Sequence, residues 1–301
     1  MSDGTGRSDV QLEIANAMWV DTALRLKPDF IGAAASYKAS VRTLSLSSPS
    51  TVRAVNAWAD GATHGKIVRV LDSASADTAR LFIANAVYFN GKWLDEFDTL
   101  RTRRRDFRLA SGTTIQVVAM ERTGRVGYRR GTGYQMIRLP YRGGRFSMYV
   151  MLPDSGTPVG NVEREFAEHG LPASLIGRGL FRDVHVVLPR LHLSSSYDLT
   201  PMLDSLGMHQ ALDCHIADFQ GIAIPRHSEQ PDPLCISKVS QNVRLDVDEK
   251  GAEAAAITGI NAVVVSLGPP PIEFIVDRPY LFMIRDEATG KNLFVGTIRH
   301  P

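Results

Sequence analysis

Apolar positions recur along this chain at two periods, and the changes of period mark its elements. Residues 13–20 read as a strand. Residues 28–39 predict a short helix, with Phe30, Ile31, Ala34 and Tyr37 on one face and Pro28 at the start, where a missing N–H is harmless. Residues 52–63 predict a second helix: Val52, Val55, Trp58 and Ala59 keep helical spacing, and Gly65 closes it. Residues 81–89 are apolar on both faces apart from Asn85, the pattern of a central strand in a covered sheet. A buried amide there needs partners, because leaving one unpaired costs about 1–3 kcal/mol. Strands are also predicted over 146–152, 184–193 and 243–249. Residues 199–206 read as a helix, with Leu199, Met202, Leu203 and Leu206 on one face and Gly207 behind it. The chain ends in strands over 272–276, 280–284 and 293–298, the last two joined by a turn over 287–291.

Composition narrows the classes. Of 301 residues, 44% are hydrophobic and 22% charged, so the chain is globular. With 34 Lys and Arg against 32 Asp and Glu, the net charge is +2, and a nucleic-acid partner is not expected. No apolar run is long enough to span a bilayer, so no membrane partner is expected either. Residues 1–9 read as a polar surface loop without an export signal. The basic cluster 101–105 reads as a solvated loop, balanced by Asp95, Asp98 and Asp106. Cys214 and Cys235 are the only cysteines; two separate thiols are expected, with pairing left open.

Motifs for catalysis are absent. There is no G-x-S-x-G, H-E-x-x-H or C-x-x-C, and no two of the eight histidines are four residues apart. Cys214 beside His215 is adjacency in sequence, not catalytic geometry. No metal, no cofactor and no enzymatic activity are expected.

The segment 249–271 is unusual. At period two, Ala252, Ala254, Ala256, Thr258, Ile260, Ala262 and Val264 form one uncharged face, with Glu253 and Asn261 on the other. Such a segment can join a sheet with its small face inward. It ends in Gly268 and three prolines, a stiff extended stop. Connections of this length are uncommon unless functional.

These residues carry a family resemblance. Ile83 to Trp93, Leu188-Pro-Arg190, Tyr197-Asp-Leu199, Leu206-Gly-Met208, Ala217-Asp-Phe-Gln-Gly221, Ile236-Ser-Lys238, Asp248 to Ala256, Phe274 to Phe282 with its Asp277-Arg-Pro, and Gly296 run in the order found in serpins. The chain resembles a serpin, a serine protease inhibitor, from about residue 12 to its end. The resemblance implies an α+β fold: a large central mixed β-sheet A, two smaller sheets and surrounding helices, in a single domain over 1–301. The family's first helices, roughly a quarter of the domain, would be missing before Glu13. It implies suicide inhibition, in which a loop at about 250–271 baits a protease, is cleaved, and inserts as a new strand of sheet A. The scissile bond would be Val265–Ser266. Ala262, Val263, Val264 and Val265 would suit a small apolar pocket, hence an elastase-like or subtilisin-like serine protease as partner. The hinge would comprise Glu249, Lys250, Gly251, Ala252, Glu253, Ala254, Ala255 and Ala256. Trp93, Arg190 and Glu249 would form the breach where insertion begins, with Arg190 and Glu249 as an ion pair. Asn85 and Gln241 would form the shutter midway along the sheet. A monomer is implied, extracellular by family habit, with the cytoplasm left open by the missing export signal. The alternatives are a non-inhibitory binding or storage protein and an inactive truncated serpin. Departures from the family pattern are Ala252 for the commoner Thr, Tyr280 for Phe, and the bulky Ile257 and Ile260 in the hinge run.

Overall fold

The computed structural model describes residues 9–71, 80–172, 180–226, 234–250 and 269–301. Along the chain run β1 (Val10–Asp21), β2 (Leu24–Leu26), α1 (Pro28–Ser36), β3 (Ala39–Leu44), α2 (Pro49–Ala62), β4 (Leu81–Gly91), β5 (Asp98–Arg108), β6 (Thr114–Gly131), β7 (Tyr134–Pro140) and β8 (Phe146–Pro153). Then come α3 (Val159–His169), β9 (Phe181–Pro189), β10 (Leu191–Asp198), α4 (Thr200–Leu203), α5 (His209–Leu212), β11 (Ala223–Pro225), β12 (Ile236–Val247), β13 (Ile272–Ile275), β14 (Tyr280–Asp286) and β15 (Asn292–Ile298). They fall into two units, one of Met1–Gln11, Asn90–His192 and Asp246–Pro301, the other of Leu12–Phe89 and Leu193–Leu245.

The second unit carries a mixed five-stranded sheet in the order β10-β12-β4-β1-β3. β1 and β3 are parallel, as are β12 and β4. One face of β4, formed by Phe82, Ala84 and Ala86, packs with Trp19 of β1 against Val55 and Ala59 of α2. Burying Phe82 or Val55 contributes about 1.5–3 kcal/mol each, and the alanines less. Trp19 stacks on Phe82 at 5.4 Å and meets Trp58 edge-on at 5.1 Å. The helix starts on Ser48, whose hydroxyl accepts from the Ser50 N–H at 3.3 Å, and proline occupies its first turn. The other face of β4 differs from the sequence expectation: Ile83, Asn85 and Val87 are only half-buried. In α1, Ala34 alone is buried, and Tyr37 just past its end is 78% exposed, so the apolar face read from the sequence is largely uncovered among the described residues. The single helix expected over 199–206 is interrupted by a π turn at Asp204–Met208, because Gly207 turns left-handed at φ 98°. Cys214 and Cys235 are joined in a disulfide with Cα atoms 4.7 Å apart, which corrects the expectation of separate thiols. The fold brings together two residues that sequence leaves 21 positions apart.

The first unit carries an eight-stranded sheet, β13-β9-β6-β7-β8-β14-β15, with β5 on β6. The 18 residues of β6 join what would otherwise be two smaller sheets, since one end pairs with β5 and β9 and the other with β7. Every residue of β8 is buried, and α3 closes over Tyr149, Met151 and Met283 through Val162 and Phe166. Gly296 lies opposite Phe282 in the ladder, where a Cβ would come within 2.8 Å of the ring. The cluster 101–105 is not a loop but part of β5. Arg101 meets Asp98 at 3.4 Å, and Arg103 and Arg105 reach the buried Glu121 of β6. Asp106 accepts from Gln116, and Asp95 faces Arg122 at 3.3 Å. The run 184–193 is split at Arg190, whose N–H donates to the Val118 carbonyl at 2.9 Å and ends the β9 ladder. No helix among the described residues is long and apolar enough to cross a membrane. Among the same residues, no cluster of His, Cys, Asp and Glu could hold a metal ion.

Candidate functional site

Two constellations match the sequence expectations, one in each unit. In the first, the chain leaves β4 at Gly91 and buries Trp93, 1% exposed, as an isolated bridge to Tyr141. The two rings stack at 4.4 Å, and Phe97 meets the indole edge-on at 6.0 Å. Backbone at 248–250 runs beside this turn. The Trp93 N–H donates to the Lys250 carbonyl at 3.2 Å and the Phe97 N–H to the Glu249 carbonyl at 2.9 Å. The indole Nε1 donates to the Asp248 carbonyl at 2.8 Å, so Trp93 is both the packing floor and a hydrogen-bond anchor.

Glu249 is 4% exposed. Its Oε1 accepts from Arg190 Nε at 2.8 Å, from Arg190 Nη2 at 2.5 Å and from the Thr102 hydroxyl at 2.5 Å. Burial opposes the charge on this carboxyl. The hydrogen bonds from Arg190 and Thr102, with the field of the guanidinium, overcome it and hold the group below the usual glutamate range. Trp93, Arg190 and Glu249 are thus together as expected. Thr102 was missed, because it sits among arginines that read as a loop. The strand alternation of β5, which turns Thr102 away from Arg101 and Arg103, is the signal that would have found it.

In the second constellation, Asn85 and Gln241 are register partners on β4 and β12. Gln241 Nε2 donates to Asn85 Oδ1 at 3.3 Å. Asn85 Nδ2 donates to Asn16 Oδ1 at 2.8 Å and to the Ala15 carbonyl at 3.4 Å. Asn85 therefore has three partners, two amide side chains and one carbonyl, and Asn16 of β1 is a member that sequence reasoning did not name. The row Gln241–Asn85–Asn16 crosses three neighbouring strands without a charge.

Of the hinge, Glu249 and Lys250 are described. Gly251, Ala252, Glu253, Ala254, Ala255, Ala256, Val265 and Ser266 lie outside the described residues.

Comparison with known proteins bears on the family and the fold. A family model described as "Serpin (serine protease inhibitor)" matches residues 3–301. Serpin-Z7 of Hordeum vulgare is 31% identical over all of this chain and 76% of its own length. Serpin-Z10 of Arabidopsis thaliana is 32% identical over 99% of this chain and 79% of its own length. Among solved structures, Serpin48 of the insect Tenebrio molitor superposes with a TM-score of 0.84 at 28% identity, over 99% of this chain and 78% of that one. Arabidopsis AtSerpin1, titled as a native stressed conformation, gives 0.84 at 28% identity over 100% and 78%. This chain belongs to the serpin (serine protease inhibitor) family.

Proposed function

We propose that the chain is a suicide inhibitor of serine proteases with small apolar specificity, elastase-like or subtilisin-like, baited at Val265–Ser266. It acts in this reading as an extracellular monomer, one serpin domain with its reactive loop at about 250–271, and is not itself an enzyme. The direct parallel pairing of β4 with β12 carries the proposal. Those two strands share a single ladder from Leu81 to Phe89. A strand entering between them replaces that ladder by two, so every backbone group it parts regains a partner and the incoming strand gains its own. The small period-two face of the loop, Ala252, Ala254, Ala256 and Thr258, suits such an entry. In this mechanism Glu249 is the fixed upstream post of the loop. The Gln241–Asn85–Asn16 row is the neutral latch that parts when the sheet opens. The matched AtSerpin1 structure, titled as stressed, supports reading the five-stranded sheet as the state before insertion.

The test is incubation with an elastase-like and a subtilisin-like protease, followed by denaturing gel analysis. The expected product is a covalent complex at the summed mass, with cleavage at Val265–Ser266. Cleavage without a complex would point instead to a non-inhibitory relative. Ala252→Arg should abolish the complex and leave cleavage intact, because an arginine cannot enter the sheet. A complex that survives this change defeats the insertion mechanism.

A further inference from the structure

His185 of β9 stands between two carboxylates on neighbouring strands. Its Nε2 is 3.1 Å from Glu121 Oε1 of β6, and its Nδ1 is 2.7 Å from Glu273 Oε2 of β13. A neutral imidazole has one N–H and one lone pair, so it can attract only one of these carboxylates at such distances. Both contacts are favourable together only when both nitrogens carry hydrogen. We infer that Glu121, His185 and Glu273 form a protonation-dependent clip that positions β13, the strand into which the candidate loop leads. The biological use of the clip rests on the proposed inhibitory function; its existence does not.

The surroundings decide which side of the clip opens. From β5, Arg105 and Arg103 both reach Glu121. From β6 come Glu121 itself and Thr123, the register partner of His185. Along β9 the same face carries Asp183, whose register partner is Arg125, and Val187. From β13 comes Glu273, directly opposite His185 in the parallel ladder. Glu121 is 8% exposed and pinned by two guanidinium groups, whereas 59% of the Glu273 side chain meets solvent. When the imidazole loses its second proton, Glu273 is the carboxylate free to leave. β13 has only the four residues Ile272–Ile275. It then keeps its ladder to β9 and its buried Phe274, but loses its charged tie.

Histidine is the side chain that ordinarily changes charge between about pH 5 and 8. The test is therefore hydrogen–deuterium exchange of the full chain at pH 6 and pH 8, read as protection factors over 272–275 after correction for intrinsic exchange. Protection is expected to be about 1.5- to fivefold higher at pH 6, the size of a single partly exposed ion pair. His185→Gln and Glu273→Gln should each erase the difference. The second change lies on an exposed side chain and leaves the core untouched. An unmodified chain with no pH step, or a step that persists in both variants, overturns the clip. Protease complexes scored at the same two pH values separate the two readings. A step without any complex sinks the inhibitor reading and keeps the clip, and complexes without a step do the reverse.

Discussion

The Glu249 cluster and the Gln241–Asn85–Asn16 row are polar sites made of different material. Around Glu249 the groups are charged, the carboxylate is 4% exposed, and a tryptophan 1% exposed backs the turn. Along Gln241–Asn85–Asn16 the groups are neutral amides, half-buried, each spanning one strand spacing. A buried charge that loses its partner is costly, so the first site holds one arrangement firmly. A neutral amide that loses its partner at a half-wet position can turn to water, so the second can part and re-form at small cost. The difference suits the post and the latch of the proposed function.

The largest effect that would test this contrast is at the post. Trp93→Ala removes a stacked ring and the donor to the Asp248 carbonyl. It should destabilise the protein by about 3–5 kcal/mol, read as a lowered urea midpoint. A loss below that of Asn85→Ala would invert the comparison.

Arg190→Ala comes next. It strips two of the three side-chain donors from Glu249. Removing one partner of a fully buried pair costs about 3–5 kcal/mol. Because 39% of the Arg190 side chain is exposed, a loss of about 2 kcal/mol is expected. The change also carries a pH signature. The Glu249 carboxyl is held lower in the folded protein than in the unfolded chain. Its contribution is therefore complete above the unfolded value and is lost as pH falls through the folded one. With Arg190 gone that loss should begin at higher pH, visible as an acid-unfolding midpoint moved upward. Breaking the neutral row should leave the acid midpoint shape unchanged.

Much of both sites was legible in the sequence, for physical reasons that also mark the limits. Asn85 announced itself because one amide in an apolar run demands a partner. Gln241 came from the family resemblance, and the register places it opposite Asn85. Asn16 gave no such signal, being one of several half-buried polar positions along β1. Thr102 was hidden by its arginine neighbours, and β6 was hidden because Glu121 and Arg122 look like loop residues. They are buried only because Arg105 and Asp95, distant in sequence, pair with them. The disulfide was equally invisible, since neither cysteine is apolar-periodic with the other. Pairings of this kind belong to the fold rather than to any local pattern.

Asn85→Ala should cost about 1 kcal/mol, the ordinary loss for a half-buried hydrogen-bonded side chain. It removes the acceptor of Gln241 and the donor to Asn16 in one step, and each orphan can reach solvent. If the row is the latch, the same variant should form protease complexes no more slowly than the parent, despite its lower stability. A variant that folds yet inhibits much more slowly would mean that the row guides insertion rather than restraining it.

The smallest effect has the opposite sign. The Glu249 cluster and the amide row satisfy their polar groups by contact, but Tyr280 does not. It begins β14 fully buried, and its hydroxyl has no partner among the described residues. Burial alone drives its ionisation far above the usual tyrosine range. A hydroxyl that is desolvated without a hydrogen bond is a net cost, so Tyr280→Phe should stabilise the chain by about 0.5–1 kcal/mol. The ring keeps its packing, and only the orphan oxygen leaves. The urea midpoint should rise with an unchanged slope, because the surface exposed on unfolding hardly changes. A lowered midpoint would show that the hydroxyl is satisfied after all, by an ordered water or by a residue of the segments outside the described set. Tyr280 would then join the other two sites as a partnered polar position.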